Sequence, residues 1–266
     1  MNESAAVGVE SRGAVARVTL NRPDRRNSFN GSMVGELCET FEALGCDPAV
    51  RVVVLGGAGA VFCAGADLRW MGSAGAVSPQ QARGDAERLI RMYRAIDECP
   101  CPVIGRVHGS AFGGGVGLLA ACDIVVAADD TVFALSEARL GLVPAVIAPF
   151  VLRKAGESFM RRYALTAETF STSVARQFNL VHDVVERDGL DKRIDELIEA
   201  VLQLAPQALR HTKALLRRIL QSPDSEGWPL CAEANAEARL SEEAREGLQA
   251  FLTKRAPPWA GGRLDR

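Results

Sequence analysis

The chain has 266 residues, 48% of them hydrophobic, which is enough material for a large buried core. Its formal charge of -2 argues against nucleic acid or an anionic membrane as the main partner, although a local basic patch can still hold a phosphate. No signal-peptide pattern and no run of about 18 apolar residues occurs, so a cytoplasmic protein without membrane insertion is expected.

The residue types that bind metals are scattered. Seven cysteines, odd in number and mostly within apolar runs, indicate reduced core side chains, which also favours the cytoplasm. No ligand spacing links the histidines, which are His108, His182 and His211. We therefore expect no metal site.

Strand and helix patterns alternate over the first 150 residues. Short apolar or alternating runs predict strands over 14–21, 50–57, 102–109 and 123–130. Helical spacing relates Met33, Leu37, Phe41 and Leu44, and further on Leu89, Met92, Tyr93 and Ile96. This alternation predicts βαβ units.

Beyond about residue 150, strand patterns fade and helical periodicity dominates. One helix is predicted from Leu190 to Leu202, and Pro206 suits the first turn of the next helix. Residues 71–80 are rich in Gly, Ser and Pro and predict a loop, placed where a mobile lid would be useful.

Three consecutive glycines stand in "SAFGGGVGLLAACD", residues 110–123. Gly113 to Gly115 follow a strand and precede an apolar helix, so their N–H groups are expected at the positive end of the helix dipole, as an anion or oxyanion site. Tight packing of the helix on its strand is an equally simple explanation. A dinucleotide fingerprint fails at Leu118, and neither a P-loop nor a G-x-S-x-G elbow is present.

A second glycine turn stands in "FCAGADLRWM", residues 62–71. It offers the peptide N–H of Ala66 just before a short helical pattern. Two such turns, each with one N–H, suit the clamping of a single carbonyl oxygen between them.

Five segments, in order and over nearly the whole chain, resemble the enoyl-CoA hydratase/isomerase, or crotonase, superfamily. They are "LNRPDRRNSFN" (20–30), "FCAGADLRWM" (62–71), "AFGGGVGLLAACD" (111–123), "FALSEARLGLVPA" (133–145) and "AFLTKRAPPW" (250–259). The resemblance implies an α/β fold, a crotonase-like spiral of ββα units over residues 1–200. It also implies a C-terminal helical region over 201–266 for oligomerisation, in homotrimers or dimers of trimers.

The resemblance further implies an acyl-CoA thioester substrate, with coenzyme A as part of that substrate and no separate cofactor. The N–H groups of Ala66 and Gly114 are then the oxyanion hole, and Glu137 is the principal acid/base. Residues implied in substrate contact are Arg25, Arg26, Ala64, Asp67 and Leu68 along coenzyme A, Trp70 in the acyl pocket, and Phe251 and Lys254 at the nucleotide end, often across a subunit boundary. Outside this family context, Glu137 is simply a helix-start or surface carboxylate, and His108 is a structural side chain.

Gly117 departs from the family pattern. The best-known hydratases hold one water between two glutamates, and the first of these falls at Gly117, so only Glu137 remains. A lone carboxylate suits a proton shuttle from C2 to C4, which is Δ3,Δ2-enoyl-CoA isomerisation.

The segment "LGLVPAVIAPFVL" (140–152), together with Trp70, nevertheless resembles bacterial 3-methylglutaconyl-CoA and isohexenylglutaconyl-CoA hydratases, whose substrates carry a distal carboxylate. Arg106 and Arg139 are candidate partners for that carboxylate, although packing explains both more simply. The leading hypothesis is therefore hydration of a branched or carboxylated 2-enoyl-CoA. The alternatives are isomerisation and a noncatalytic relative that binds acyl-CoA or RNA. The near-neutral charge of the chain argues against RNA binding.

Overall fold

The structure, a computed structural model, describes residues 5–72 and 78–261. The strands are β1 (Val7–Arg12), β2 (Val15–Leu20), β3 (Val52–Gly57), β4 (Val103–Val107), β5 (Ser110–Phe112), β6 (Ile124–Ala128), β7 (Val132–Ala134), β8 (Thr169–Ser171) and β9 (Asp183–Val185). The helices are α1 (Gly31–Cys46), α2 (Leu68–Gly72), α3 (Pro79–Asp97), α4 (Gly114–Ala121), α5 (Ala148–Thr166), α6 (Thr172–Gln177), α7 (Leu190–Leu202), α8 (Pro206–Gln221), α9 (Asp224–Leu240) and α10 (Glu242–Leu252). Short 3-10 turns cover Pro23–Arg25, Glu137–Leu140 and Arg187–Gly189.

Two sheets carry the fold. The main sheet has the order β1-β2-β3-β4-β6-β9, in which β1 and β2 are antiparallel and all other neighbours are parallel. The smaller sheet has the order β5-β7-β8, with β5 and β7 parallel. Parallel neighbours need crossovers, and α1 and α3 supply two of them. The four predicted strands are confirmed as β2, β3, β4 and β6.

Both faces of the main sheet are covered. On one face, α1, α3, α4 and α5 enclose the larger core, in which the predicted α1 stripe of Met33, Leu37, Phe41 and Leu44 is buried. On the other face, α7 packs Leu190, Ile194 and Ile198 on the valines and isoleucines of the strands. Burial on both sides explains why β3 and β6 are continuous apolar runs rich in β-branched residues rather than alternating patterns.

Short strands depart from the prediction. The expected loss of strand structure after residue 150 is wrong at β8 and β9, each of which has three residues and is too short to show a period. The helix at Leu190 and the start at Pro206 are confirmed. Since α7 ends at Leu202, the division expected at residue 200 falls within its last turn. Residues 73–77, the middle of the predicted loop or lid, lie outside the described residues.

Polar contacts attach α8 to the core, and no residue of this helix is buried. The guanidinium of Arg210 donates to the carbonyl oxygens of Gly45 at 3.1 Å, Asp47 at 3.2 Å and Val50 at 3.0 Å. The ammonium of Lys213 contacts an Asp123 carboxylate oxygen at 2.6 Å. In the described ranges, no helix combines the length and apolarity that a membrane crossing requires.

Candidate active site

The glycine cluster opens α4, as predicted. Gly113 is the residue before the helix, with φ +49°, and its N–H donates to the Ala134 carbonyl at 2.8 Å. Gly114 is the first helical residue, and its N–H has no acceptor in the described part of the chain. A Cβ at Gly114 would lie 2.4 Å from Phe29 Cζ, and one at Gly115 would lie 2.5 Å from the Cys63 carbonyl oxygen. Both explanations of the glycine cluster therefore apply. Glycine permits the close packing of α4, and it leaves an N–H without an acceptor at the positive end of the helix dipole.

The second glycine turn lies directly against the first. The N–H of Cys63 donates to Ser110 O at 3.1 Å, which ties this turn to β5. Gly65 has φ +89°, and a Cβ there would come within 2.7 Å of Phe112 O and 3.2 Å of Gly114 N. The N–H of Ala66, like that of Gly114, has no acceptor among the described residues. Two free peptide donors thus border one another, as an oxyanion hole requires.

Asn27 supports this turn from behind and is a residue that the sequence reasoning missed. It is fully buried, and its amide nitrogen contacts the carbonyl oxygens of Ala58 at 2.7 Å, Val61 at 2.9 Å and Phe62 at 3.1 Å. These contacts fix the chain that enters the glycine turn. Sequence reasoning assigns a role only to its neighbours Arg25 and Arg26. The available signal was asparagine itself, which tolerates the positive φ of +54° found here.

Glu137 begins the 3-10 turn that follows β7, and its carboxyl group faces the glycine cluster. Its Oε1 lies 3.2 Å from the position that a Cβ on Gly113 would occupy. Its Oε2 is buried and has no hydrogen-bond partner among the described residues. Burial raises the pKa of the carboxyl, and a bond from its own peptide N–H opposes this only in part. The group is therefore not a solvated surface carboxylate, and the upward shift of its pKa is in the direction that favours proton transfer to and from a substrate.

A cavity of about 440 Å³ joins these features. It is lined by Phe29, Ala64, Gly65, Ala66, Leu68, Trp70, Met71, Ala82, Asp85, Ala86, Leu89, Tyr93, Phe112, Gly113, Gly114, Ser136, Glu137, Leu140, Leu142, Val143, Pro144, Ala145, Val146 and Ile147. Asp85 and Glu137 are charged, whereas no lysine or arginine occurs among these described lining residues. The wall therefore suits an apolar chain that ends at the two peptide donors.

Apolar and aromatic groups close the space beside Gly117. A Cβ at this position would lie 2.3 Å from Ile147 Cγ2 and 2.9 Å from Tyr93 Cε1. The Tyr93 hydroxyl donates to the Gly114 carbonyl at 3.0 Å, and its ring meets Phe29 edge to face. The position of the absent glutamate is thus filled by packing. Sequence reasoning placed Tyr93 only on a helix face and did not single out Ile147.

Other expected contact residues lie away from the cavity lining. Arg25 and Arg26 are exposed, and the Arg26 carbonyl accepts the Ala64 N–H at 2.9 Å. Phe251 and Lys254 are exposed at the end of α10, outside the cavity. They therefore do not join the glycine turns within one copy of the chain.

Asp67 lies beside the second glycine turn and pairs with the guanidinium of Arg22 at 3.1 Å. Burial acts to raise its pKa, but hydrogen bonds from the Arg69 peptide and from Arg22 outweigh burial, so the pKa is lowered. Asp67 thus stays ionised and fixes the start of α2.

Three further polar side chains have structural partners. Arg106 forms an ion pair with Asp191, Arg139 donates to Ala167 O at 2.6 Å, and neither is among the described residues that line the cavity. His108 contacts Gly59 O at 2.9 Å, and burial lowers its pKa.

All seven cysteines are free. Within the described ranges, no cluster of three or more acidic, histidine or cysteine side chains is suited to hold a metal ion.

Known proteins share this architecture. Residues 10–262 match the family model described as enoyl-CoA hydratase/isomerase. A putative enoyl-CoA hydratase of Thermus thermophilus is 33% identical over 246 residues, which is 92% of this chain and 97% of the relative. The peroxisomal Delta(3,5)-Delta(2,4)-dienoyl-CoA isomerase of Arabidopsis thaliana is 30% identical, over 93% of both chains. The solved structure of an enoyl-CoA hydratase from Shewanella pealeana superimposes with a TM-score of 0.91, 37% identity and 96% coverage of both chains. The expected crotonase-like fold is confirmed.

Proposed function

The chain belongs to the enoyl-CoA hydratase/isomerase family, and from that premise we propose that it converts a 3-enoyl-CoA thioester into the conjugated 2-enoyl-CoA. One observation carries the choice of reaction. Glu137 is half-buried, with its Oε2 buried beside the glycine turns, and the space next to Gly117 is filled by Ile147 and Tyr93. A single acid/base beside an oxyanion hole supports a proton shuttle better than the activation of water.

The steps follow from this geometry. The Glu137 carboxylate removes a proton from C2, and the electron pair moves into the thioester carbonyl. The N–H groups of Ala66 and Gly114 stabilise the resulting dienolate oxygen, for which one donor is worth roughly 3 to 4 kcal/mol. Protonated Glu137 then returns the proton to C4, so the double bond moves from C3–C4 to C2–C3. No atom is gained or lost.

Hydration of a 2-enoyl-CoA is the second candidate, and the names given to the Thermus and Shewanella relatives favour it. In that case Glu137 is the acid/base, while backbone, other side chains or the substrate hold the water. A carboxylated acyl chain of the 3-methylglutaconyl type has less support, because no cation occurs among the described lining residues. Arg106 and Arg139 are engaged elsewhere.

The proposal extends to binding and assembly. Arg25 and Arg26 lie next to the Ala64 turn and would contact the phosphates of coenzyme A. Phe251 and Lys254 would reach the nucleotide end in a neighbouring copy. Apolar side chains exposed on α8, α9 and α10, such as Leu220, support the use of residues 201–266 as an oligomerisation surface for a trimer or dimer of trimers. The free cysteines support a cytoplasmic location.

The test uses purified full-length protein with 3-hexenoyl-CoA and, separately, with crotonyl-CoA. We expect an isobaric conjugated product from the first substrate, identified by mass and ultraviolet absorbance, and little water addition to the second. Water addition to crotonyl-CoA without isomerisation would replace the proposal by hydration. Binding of both thioesters without turnover would refute an enzymatic role. The binding affinities of crotonyl-CoA and 3-methylglutaconyl-CoA, compared side by side, test the preference for an apolar chain.

A further inference from the structure

One row of side chains on α3 runs along the cavity. Its four members all line the cavity and are spaced three or four residues apart, which places them in line on one face of the helix. They are Tyr93, Leu89, Ala86 and Ala82. Tyr93 is fully buried and bound to Gly114 O, the next two are half-buried, and Ala82 is exposed. The row therefore leads from the glycine turns to the surface of the molecule.

The side chains of this row become smaller toward the surface. A phenol ring and an isobutyl group stand at the buried end, whereas only methyl groups follow beyond Leu89. A chain that passes Leu89 thus finds space along the helix instead of a blocking side chain. Asp85, next to Ala86, also lines the cavity, but its carboxylate forms an ion pair with Arg88. The outer half of the row is therefore open, and its contact surface is mainly apolar.

The wall formed by residues 140–147 shows the same gradient of burial. Ile147 is 1% exposed, Leu142 40% and Val143 76%, and all three line the cavity. Met71 of α2 adds a further exposed apolar side chain to the lining. Exposed apolar groups that belong to one groove mark a binding site for an apolar ligand. Because this groove is continuous with the two peptide donors, the acyl chain of the substrate is the occupant that fits it.

The length of the row indicates how long that chain is. Ala82 precedes Tyr93 by eleven residues, which is about 16 Å along the helix axis at a rise of about 1.5 Å per residue. An extended polypeptide advances about 3.4 Å for every three backbone bonds, so an extended acyl chain advances about 1.1 Å per bond. A chain that starts beside Tyr93 therefore reaches Leu89 at about carbon 6, Ala86 at about carbon 10 and Ala82 at about carbon 15.

We infer that this site takes acyl-CoA thioesters of about 10 to 14 carbons, with the acyl chain laid along α3, and that Ala86 and Ala82 set the length that is accommodated. The inference rests on the proposed function, because that function places the thioester carbonyl at the N–H groups of Ala66 and Gly114. It adds the class of substrate, which is a medium- to long-chain fatty acyl thioester rather than a short one.

The experiment measures binding rather than turnover. Butanoyl-, hexanoyl-, octanoyl-, decanoyl-, dodecanoyl- and tetradecanoyl-CoA are titrated into the purified full-length protein by calorimetry, below the concentrations at which they form micelles. These saturated thioesters have no double bond to move, so their affinity is independent of the reaction. Each buried methylene contributes up to about fourfold in affinity. We expect the affinity of wild type to rise at least as far as decanoyl-CoA and to level off by tetradecanoyl-CoA.

Ala86→Phe places a ring across the row beyond Leu89. This variant should lower the affinity for dodecanoyl-CoA by about tenfold or more and leave the affinities for butanoyl- and hexanoyl-CoA unchanged. Arg83→Phe is the matched control, because it adds the same ring to α3 at a side chain that is 83% exposed and outside the described cavity lining. The control should leave the whole series unchanged.

Two results would overturn the inference. One is a wild-type affinity that stops rising at hexanoyl-CoA, as expected if a second copy of the chain covers the outer groove. The other is a folded Ala86→Phe protein that loses affinity equally for all chain lengths or for none. Where Ala86→Phe does not fold, Ala82→Glu decides instead, since Ala82 is exposed. Its charge should weaken the binding of tetradecanoyl-CoA but not of hexanoyl-CoA, and an unchanged series would overturn the path along α3.

Failures of the inference and of the proposed function are distinguishable. Equal affinity for all chain lengths, together with isomerisation of 3-hexenoyl-CoA, refutes the inference alone. The expected chain-length series without isomerisation refutes the proposed reaction and supports the inference. Wild type that binds no acyl-CoA refutes both.

Discussion

Replacement of Glu137 by glutamine removes the proton shuttle while the shape of the side chain is kept. General acid–base catalysis contributes 10²–10⁴-fold, so kcat on 3-hexenoyl-CoA should fall by that factor, which raises the barrier by about 3 to 5 kcal/mol. The KM should change little, because the two peptide donors and the apolar wall remain in place. Turnover is thus expected to fall far more than binding.

The difference in stability between Glu137→Gln and wild type should depend on pH in a defined direction. In the unfolded chain, the carboxyl ionises near its ordinary pKa of 4.5, whereas burial raises the pKa in the fold. Between these two values, the folded state keeps a proton that the unfolded state has lost, so wild-type stability falls as pH rises. Glutamine does not titrate. The variant should therefore gain stability relative to wild type from pH 4.5 upward until the folded pKa is passed, and the difference should then level off.

Urea unfolding of both proteins at several pH values, with kcat and KM measured in the same buffers, tests both expectations. Glu157→Gln is the matched control, since Glu157 is exposed on α5 in a surface ion pair with Arg161. That variant should retain activity and change stability by no more than about 0.5 kcal/mol. A Glu137→Gln protein with near-normal turnover, or with a pH-independent difference in stability, would refute the role argued for this carboxyl.

Three further substitutions test the packing around the site. Gly117→Ala should lose about 1–3 kcal/mol of stability through overpacking, whereas Gly35→Ala, at a helical position with nothing within 4 Å, should gain up to about 1 kcal/mol, as measured by urea unfolding. Tyr93→Phe should lose about 1 kcal/mol and show a lower kcat, because the first carbonyl of α4 loses a hydrogen bond. Gly65→Ala should lose more than about tenfold in kcat, since its Cβ would press on the end of β5, while Gly141→Ala, with a similar positive φ in open space, should show strain alone.

Each of these expectations has a contrary result. Equal stability of Gly117→Ala and Gly35→Ala would mean that the Ile147 side chain moves away from position 117 without a cost in stability. An unchanged kcat in Tyr93→Phe would mean that the Tyr93 hydroxyl does not help to orient α4 for catalysis. Full activity of Gly65→Ala would mean that the two glycine turns are not held in register.

The backbone of the site was predictable because glycine patterns act locally. A strand, a glycine cluster and an apolar helix already predict open N–H groups among Gly113 to Gly115, and the second turn at Ala66 follows the same logic, whereas the choice of Gly114 came from the family resemblance. The role of Asn27 was missed because the side chain of this residue reaches carbonyls more than thirty positions away, and no periodicity reports such a contact.

What replaces the second carboxylate could not be read from the sequence. The motif comparison located the gap at Gly117, but Tyr93 and Ile147 come from α3 and the start of α5, and only tertiary packing brings them together. For the same reason β8 and β9 were missed, since three residues stabilised by pairing with β7 and β6 carry no pattern of their own.

The way α8 is attached affects the order in which parts of the molecule unfold locally. Its polar contacts with the core are cations on carbonyl oxygens and on Asp123, and its apolar contact is the partly buried Leu209. Loss of this helix would leave backbone acceptors and one carboxylate without their donors, and would uncover the apolar surface under Leu209. Native-state hydrogen exchange should therefore show α8 opening before the main sheet, with salt weakening the Lys213 contact first. The C-terminal helices are thus held to a core whose two clusters of buried side chains all precede α8 in the sequence.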